Sequence, residues 1–337
     1  MKRLGFLFED IVSLENLLLA AKKAFRGKKD RTRVSAFYFH LENELMDLHE
    51  ELTSGTYHPL PYRMFIIHEP KRRQICAADF RDRVVHHAIC NVLDPMFERC
   101  MIHDTYACRP NKGTHAATAQ AQKFARRFNY YLKCDIVKYF HSIDHDVLKT
   151  MLASKIKDAR LLRLLHTIID HPLPGGRAGK GLPIGNLTSQ YFANFYMGRL
   201  DHFLKDRLGV KGYIRYMDDF LLFADDKSAL RDHLSSIWSF LSERLRLELK
   251  EKAVIVAPVS QGIPFLGFRV FPGLIRLEAR KWTRFRRKVR DLESDFLEGY
   301  IEKEELSSRV SCMIGHVLHA DTMEARKAFF AGSLHLS

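Results

Sequence analysis

A pair of aspartates set between two apolar runs constrains this chain more than any other feature. Gly212-Tyr213-Ile214-Arg215-Tyr216-Met217 leads into Asp218-Asp219, and Phe220-Leu221-Leu222-Phe223 leads out. Each flank has strand composition, and two residues is the length of a tight hairpin connection, so a hairpin with the aspartates as its turn is predicted. Asp-Asp lacks the Gly that takes positive φ cheaply. Two carboxylates ~4 Å apart also repel by about 4 kcal/mol at an effective dielectric near 20. The arrangement calls for a cation, and hard carboxylate oxygens suit Mg²⁺. Asp225-Asp226 reads differently: it precedes Lys227-Ser228-Ala229-Leu230, the start of a helical pattern, and is expected to cap that helix.

A third carboxylate lies upstream. Residues 130–137, Tyr-Tyr-Leu-Lys-Cys-Asp-Ile-Val, form an apolar strand interrupted by Asp135. A lone carboxylate among such neighbours is costly unless paired or metal-bound, which makes Asp135 the natural third ligand. Asp144 begins the next helical pattern and is expected to cap it, and His141 and His145 lack a third metal-type partner and are expected to be structural.

The remaining elements follow from periodicity. Residues 11–27 and 35–55 read as amphipathic helices, the first with Leu14, Leu17, Leu18 and Ala21 on one face. Phe65–Cys76 reads as a hairpin with Lys71, Arg72 and Arg73 at its tip, and Asp79 opens a helix to about Phe97. Thr105–Ala116 is a polar loop before a helix of about residues 115–128, where Arg109 and Lys112 are candidates for phosphate contact. The loop Pro172–Gly181 fails the Walker A spacing, because Pro174 takes the first glycine position and Gly181 follows the lysine. Leu182–Gln190 leads into a helix through about Leu208, residues 228–246 form an amphipathic helix, and Gly262–Val270 reads as a further hairpin.

Charge narrows the partner. Lys plus Arg number 54 against 40 Asp plus Glu, a formal +14, which favours a polyanion, nucleic acid before membrane. Arg280, Lys281, Arg284, Arg286, Arg287, Lys288 and Arg290 crowd one helical stretch, as expected for salt-sensitive contact with a phosphate backbone. No apolar run reaches the ~18 residues of a membrane span. Early acids argue against a signal peptide, and six cysteines without a Cys-x-x-Cys pair argue against zinc or a disulfide framework, so a reducing cytoplasm is expected.

Taken in order, these parts resemble reverse transcriptases over nearly the whole chain. The resemblance rests on the basic hairpin, Thr-Tyr-Ala-Cys-Arg-Pro, Asp135 with Phe140 five residues on, Ile-Gly-x-x-x-Ser-Gln, Tyr-Met-Asp-Asp and Phe-Leu-Gly-Phe. It implies an α+β right-hand polymerase fold: fingers and palm over 1–275 and a short basic helical thumb over 276–337. The fingers would be mainly 1–128 and 150–182. The palm, an antiparallel sheet carrying the aspartates, would be mainly 129–149 and 183–275. It implies two Mg²⁺ ions, with Mn²⁺ a possible substitute, held by Asp135, Asp218, Asp219 and the backbone of Ile136. Lys71, Arg73, Arg109, Phe140, Ile184 and Gln190 would surround the incoming deoxynucleoside triphosphate, Phe140 excluding a 2′-hydroxyl. Phe265, Leu266 and Gly267 resemble a primer grip, Arg284, Arg286, Arg287 and Lys288 would hold nucleic acid, and Lys250 or Lys252 would protonate pyrophosphate.

One departure narrows the family. Most reverse transcriptases carry Gln-Gly-x-x-x-Ser-Pro where this chain has Ile184-Gly185-Asn186-Leu187-Thr188-Ser189-Gln190. That segment, with Ala107–Ala116 and Val256–Ser260, resembles the reverse transcriptases of bacterial and phage diversity-generating retroelements. The resemblance implies a template-repeat RNA, a nascent cDNA with errors opposite template adenine, and a small accessory variability protein as partner. A group II intron or retron enzyme is the runner-up, and a catalytically silent RNA-binding protein on the same scaffold is the alternative from another class.

Overall fold

The apolar runs around the aspartates pair into antiparallel sheets in the computed structural model, which describes residues 3–27, 32–68 and 72–332. In chain order the elements begin with helices α1 (Phe8–Val12), α2 (Leu14–Phe25), α3 (Thr32–Phe39) and α4 (Leu41–Ser54). Strands β1 (Arg63–Ile67) and β2 (Arg73–Ala77) follow, then α5 (Phe80–Cys100), α6 (Thr114–Arg127) and β3 (Tyr130–Cys134). Next come α7 (Tyr139–Ser142), α8 (His145–Ala153), α9 (Ala159–Asp170) and α10 (Leu187–His202). The hairpin strands β4 (Gly212–Tyr216) and β5 (Asp219–Ala224) precede α11 (Lys227–Leu245) and β6 (Ile255–Pro258). The chain closes with β7 (Ile263–Phe265), β8 (Phe268–Val270), β9 (Ile275–Leu277), α12 (Ala279–Leu297), α13 (Lys303–Val317) and α14 (Met323–Ala331). Among the described residues no disulfide joins the cysteines, and no helix is long and apolar enough to cross a membrane.

The elements pack as two units. The first comprises Met1–His103, Ile136–Leu208 and Ser236–Lys250; the second comprises Asp104–Asp135, Gly209–Ser235 and Glu251–Ser337. Within the first, β1 and β2 pair antiparallel as the predicted basic hairpin, Phe65 opposite Ile75. Lys71 and part of that tip lie outside the described residues. The helix predicted over 11–27 is two helices, because the Ser13 side chain accepts from the Asn16 amide and caps a new start. Its buried face is Leu17, Ala20, Ala21 and Ala24, whereas Leu14 and Leu18 are solvent-facing, which corrects the expected stripe. The helix expected over 35–55 likewise breaks at His40. Asp79 caps α5 through the Arg81 amide, and α10 passes at His202 into a wider π turn, Phe203–Arg207, which carries the helical run to its expected end near Leu208.

In the second unit β4, β5, β3 and β6 form one four-stranded sheet in that spatial order, with β3 antiparallel to both neighbours. Strands β7, β8 and β9 form a three-stranded sheet. Phe124, Phe128, Tyr131, Ile214, Leu221, Phe223, Phe265 and Phe268 share one buried core that joins α6 to both sheets. A smaller core, with Phe285, Val289, Leu306, Val310 and Val317, holds the C-terminal helices together.

Asp144 is a cap, as the sequence pattern predicts. Its Oδ1 accepts from the Val147 amide at 3.2 Å, and its Oδ2 accepts from Arg246 at 2.9 Å. Burial pushes this carboxyl up, but the Arg246 hydrogen bond and the Val147 amide outweigh it and hold it below the usual range. The stabilisation is therefore full above the unfolded carboxyl's value of about 4 and is lost as pH falls through the lower folded value. Asp144→Ala is expected to cost about 1–2 kcal/mol in urea unfolding at neutral pH. That deficit should shrink below pH 4; a deficit independent of pH would contradict the assignment.

Candidate active site

The turn between β4 and β5 sits one residue earlier than the sequence pattern predicts. Tyr216 pairs with Asp219, so the two-residue loop is Met217-Asp218, and Asp219 is the first residue of β5. Met217 takes φ +60° and Asp218 does not, the φ signs of a type II′ turn, where Gly is usual at the first position. A left-handed non-glycine residue costs roughly 1–2 kcal/mol. Arg215 offsets part of that cost: its side chain is fully buried, and Nη1 donates to the Met217 carbonyl at 3.0 Å. The backbone of Arg215 also anchors the loop after α5, donating to Asp104 O at 3.0 Å and accepting from the Tyr106 amide at 2.9 Å. This fastening accounts for the Thr105-Tyr106-Ala107 segment, which is buried against the sheet edge.

Register then brings Asp135 to Asp219. The last β3–β5 pair is Cys134 with Phe220, so the next step sets Asp135 against Asp219. Lys133, two residues before Asp135 and on the same strand face, places Nζ 3.2 Å from Asp219 Oδ2 and donates to the Pro264 carbonyl at 2.7 Å. The other oxygen, Asp219 Oδ1, is buried and has no hydrogen-bond partner among the described residues. Burial above all, opposed by Lys133 and reinforced by the Asp135 and Asp218 charges, pushes the Asp219 carboxyl up to about 6. Burial, then the same carboxylates Asp219 and Asp135, also drive the neighbouring Cys134 thiol up.

These carboxylates suit a hard divalent cation: they are oxygen donors, they repel one another, and one buried lone pair is unsatisfied. Among the described residues no three His, Cys, Asp or Glu side chains gather closely enough to hold an ion unaided. Lys133 supplies the positive charge instead. Ile136, expected to add a carbonyl, belongs to the first unit and bridges Leu249.

The remaining candidates divide between the units. In the first, Arg73 opens β2 and is exposed, and the β2 backbone is stitched to the Ile184 segment: the Cys76 amide donates to Ile184 O and the Ala78 amide to Asn186 Oδ1, both at 3.0 Å. Phe140 lies half-buried in α7, and Gln190 half-buried in α10. In the second unit Arg109 is engaged by its own loop, donating to the Thr105 carbonyl and hydroxyl.

Phe265, Leu266 and Gly267 form the β7–β8 turn, with positive φ at both Leu266 and Gly267, the signature of a type I′ turn. The Lys281 stem fills the space a Cβ on Gly267 would need, and Lys281 Nζ donates to Leu266 O at 2.8 Å. The basic residues of α12 are not one solvent-facing stripe: Arg287 and Lys288 are exposed, whereas Arg284 and Arg286 are half-buried. The sequence pattern assigns no role to Lys133 or Arg215. A lysine two residues before a strand carboxylate, and an arginine inside an apolar strand, were the signals available for them.

A profile of the reverse transcriptase (RNA-dependent DNA polymerase) family matches residues 68–270, more than half of the chain. Protein YkfC of Escherichia coli (strain K12) is 26% identical over 318 residues, covering 81% of this chain and 82% of YkfC. Group II intron-encoded protein LtrA of Lactococcus lactis subsp. cremoris is 21% identical over 301 residues, covering 68% of this chain; the alignment spans 50% of LtrA. Among solved structures, telomerase from Candida tropicalis in complex with a TWJ fragment of telomeric RNA aligns at a TM-score of 0.50 and 12% identity. That alignment covers 86% of this chain and 57% of the telomerase chain, and the shared architecture is the right-hand polymerase fold.

Lys133→Met tests the electrostatics of the site. Leaving Asp219 without its cation is expected to cost about 1–3 kcal/mol in urea unfolding in EDTA, less than for a fully buried pair because both side chains keep some solvent contact. Added Mg²⁺ should restore part of the loss by replacing the missing charge. An equal loss with and without Mg²⁺ would contradict a cation-binding carboxylate cluster.

Proposed function

We propose that this chain, which belongs to the reverse transcriptase (RNA-dependent DNA polymerase) family, copies a template RNA into cDNA by two-metal-ion nucleotidyl transfer. The observation that carries this reading is Asp219, held beside Asp135 and Asp218 with a buried oxygen left unpartnered. Asp135, Asp218 and Asp219 would hold divalent ions. When bound, such ions supply charge stabilisation at the attacking and leaving oxygens of an in-line displacement. The chain's own residues do the rest. Arg73, with Lys71 and Arg109, would orient the triphosphate, and Phe140 would exclude a ribose 2′-hydroxyl. The β7–β8 turn at Phe265, Leu266 and Gly267 would seat the primer, and Arg284, Arg286, Arg287 and Lys288 would contact nucleic-acid phosphates. Lys250 or Lys252 would deliver a proton to pyrophosphate.

The template, in this reading, is the template-repeat RNA of a diversity-generating retroelement, and a small accessory variability protein is the partner. Ile184 in place of the usual Gln supports it. Isoleucine has no donor or acceptor, so a slightly displaced, mispaired nucleotide loses no hydrogen bond there. A neutral hydrogen bond is worth about 1 kcal/mol net, several-fold in selectivity. A group II intron-type enzyme is the second reading, favoured by the similarity to LtrA over 68% of this chain.

Two outcomes are expected. Asp218→Asn or Asp219→Asn should abolish primer extension on an RNA template while leaving template affinity nearly unchanged; robust Mg²⁺-dependent synthesis by either would overturn the polymerase assignment. Ile184→Gln should lower misincorporation opposite template adenine several-fold at a comparable synthesis rate. The check is sequencing of cDNA made from one RNA at matched nucleotide concentrations. An unchanged adenine error frequency would remove the support that Ile184 gives to the retroelement reading.

A further inference from the structure

The loop Pro172–Gly181, which lacks the Walker A spacing, lines a basic cleft, and none of the polymerase candidates sits in it. In the first unit, Lys138, His141, Arg177, Lys180, Arg246 and Glu248 surround a cleft of about 560 Å³, with Gly175, Gly176 and Gly181 forming part of its wall. Four of those side chains are cationic. Arg246 is paired to Asp144, and Glu248 is the one carboxylate on the lining. Among the described residues Lys138, Arg177 and Lys180 have no side-chain hydrogen bond and no carboxylate within ion-pair distance, although the charges of Lys138 and Lys180 are felt by His141 and Asp144. Concentrating like charges that nothing neutralises is unfavourable unless something anionic visits.

Backbone geometry points the same way. Lys138 takes φ +43° and Arg246 φ +50°, two non-glycine residues in the left-handed region whose side chains line the same cleft. Each costs roughly 1–2 kcal/mol, a cost that tends to be retained at binding sites. The glycine loop is clamped at its base: the Gly181 amide donates to Ile143 O at 2.8 Å, the His145 amide donates to Gly179 O at 3.0 Å, and Lys180 bridges Asp144. Gly181 takes φ +93° with the His141 carbonyl 3.3 Å from where a Cβ would sit, so the loop lies directly against α7. The base of the loop, with Lys180 beside it, is therefore fixed. The lining holds no aromatic ring besides the His141 imidazole and one aliphatic side chain, Leu173. It offers charge for phosphates and little surface for stacking a base.

We propose that this cleft binds a run of phosphate groups, supplied either by an RNA backbone or by a free polyphosphate such as pyrophosphate. The proposal goes beyond the polymerase reading and needs no catalysis, so the two fail separately. The test uses the full chain in EDTA, so that divalent-dependent binding at the aspartates does not contribute. Pyrophosphate is titrated calorimetrically, and a fluorescein-labelled oligouridylate is followed by anisotropy, for wild type and for Arg177→Glu with Lys180→Glu. Lys22→Glu with Lys23→Glu, exposed positions on α2, controls for net charge.

The loop double variant is expected to lose about tenfold or more in affinity relative to that control. Loss for pyrophosphate identifies the free anion, and loss for the oligouridylate alone identifies the RNA backbone. Unchanged affinity for both probes, or a loss matched by the control, would overturn the proposal. If the reversed variant fails to fold, Arg177→Gln with Lys180→Gln is judged by the same comparison.

Discussion

The second unit is arranged around the difficulty of keeping a carboxylate inside protein beside two others. Asp219 opens β5 where the register brings Asp135 alongside, and Asp218 precedes it in the turn. Burial alone drives its carboxyl toward the neutral form, and the two neighbouring charges push the same way. The ammonium of Lys133 opposes them at 3.2 Å, and its second bond, to Pro264 O, ties β3 to the β7 strand of the neighbouring sheet. One side chain therefore favours the ionised form of Asp219 and joins the carboxylate strands to the turn proposed to seat the primer.

The backbone strain lies beside that problem. Met217 and Leu266 adopt positive φ at the tips of the β4–β5 and β7–β8 hairpins, positions that glycine or asparagine would occupy more cheaply. Each strained carbonyl receives a cationic donor: Arg215 to Met217 O and Lys281 to Leu266 O. Buried and half-buried cations thus do two jobs here, holding turns that local propensity would not form and compensating carboxylates that hydrophobic neighbours would not tolerate.

This pairing explains which parts of the molecule were legible in the sequence. Hairpins and long helices follow from composition and periodicity, and Asp79 and Asp144 start helices where the sequence pattern expects them. The sequence pattern puts the β4–β5 turn one residue late because the rule that assigns positive φ to Gly or Asn takes no account of Arg215 beneath Met217. The expected first stripe holds at Leu17 and Ala21, which are buried, and fails at Leu14 and Leu18, which are not, because leucines outweigh alanines on any hydropathy scale. In α2 the buried face is Leu17 with the small residues Ala20, Ala21 and Ala24, and Leu14 and Leu18 face solvent. Lys133 was invisible for a related reason: its partner Asp219 is 86 residues away and becomes a neighbour only through the β3–β5 register. The break at His40 interrupts an apolar pattern that runs straight through it, so no local signal marks it.

The most direct test of the account is synthesis by the purified chain on a defined RNA template with an annealed DNA primer, deoxynucleoside triphosphates and Mg²⁺. The account predicts primer elongation to the template end, dependent on the divalent ion and on deoxynucleotides over ribonucleotides. A folded protein that binds the primed RNA but adds no nucleotide in Mg²⁺ or Mn²⁺ would contradict it.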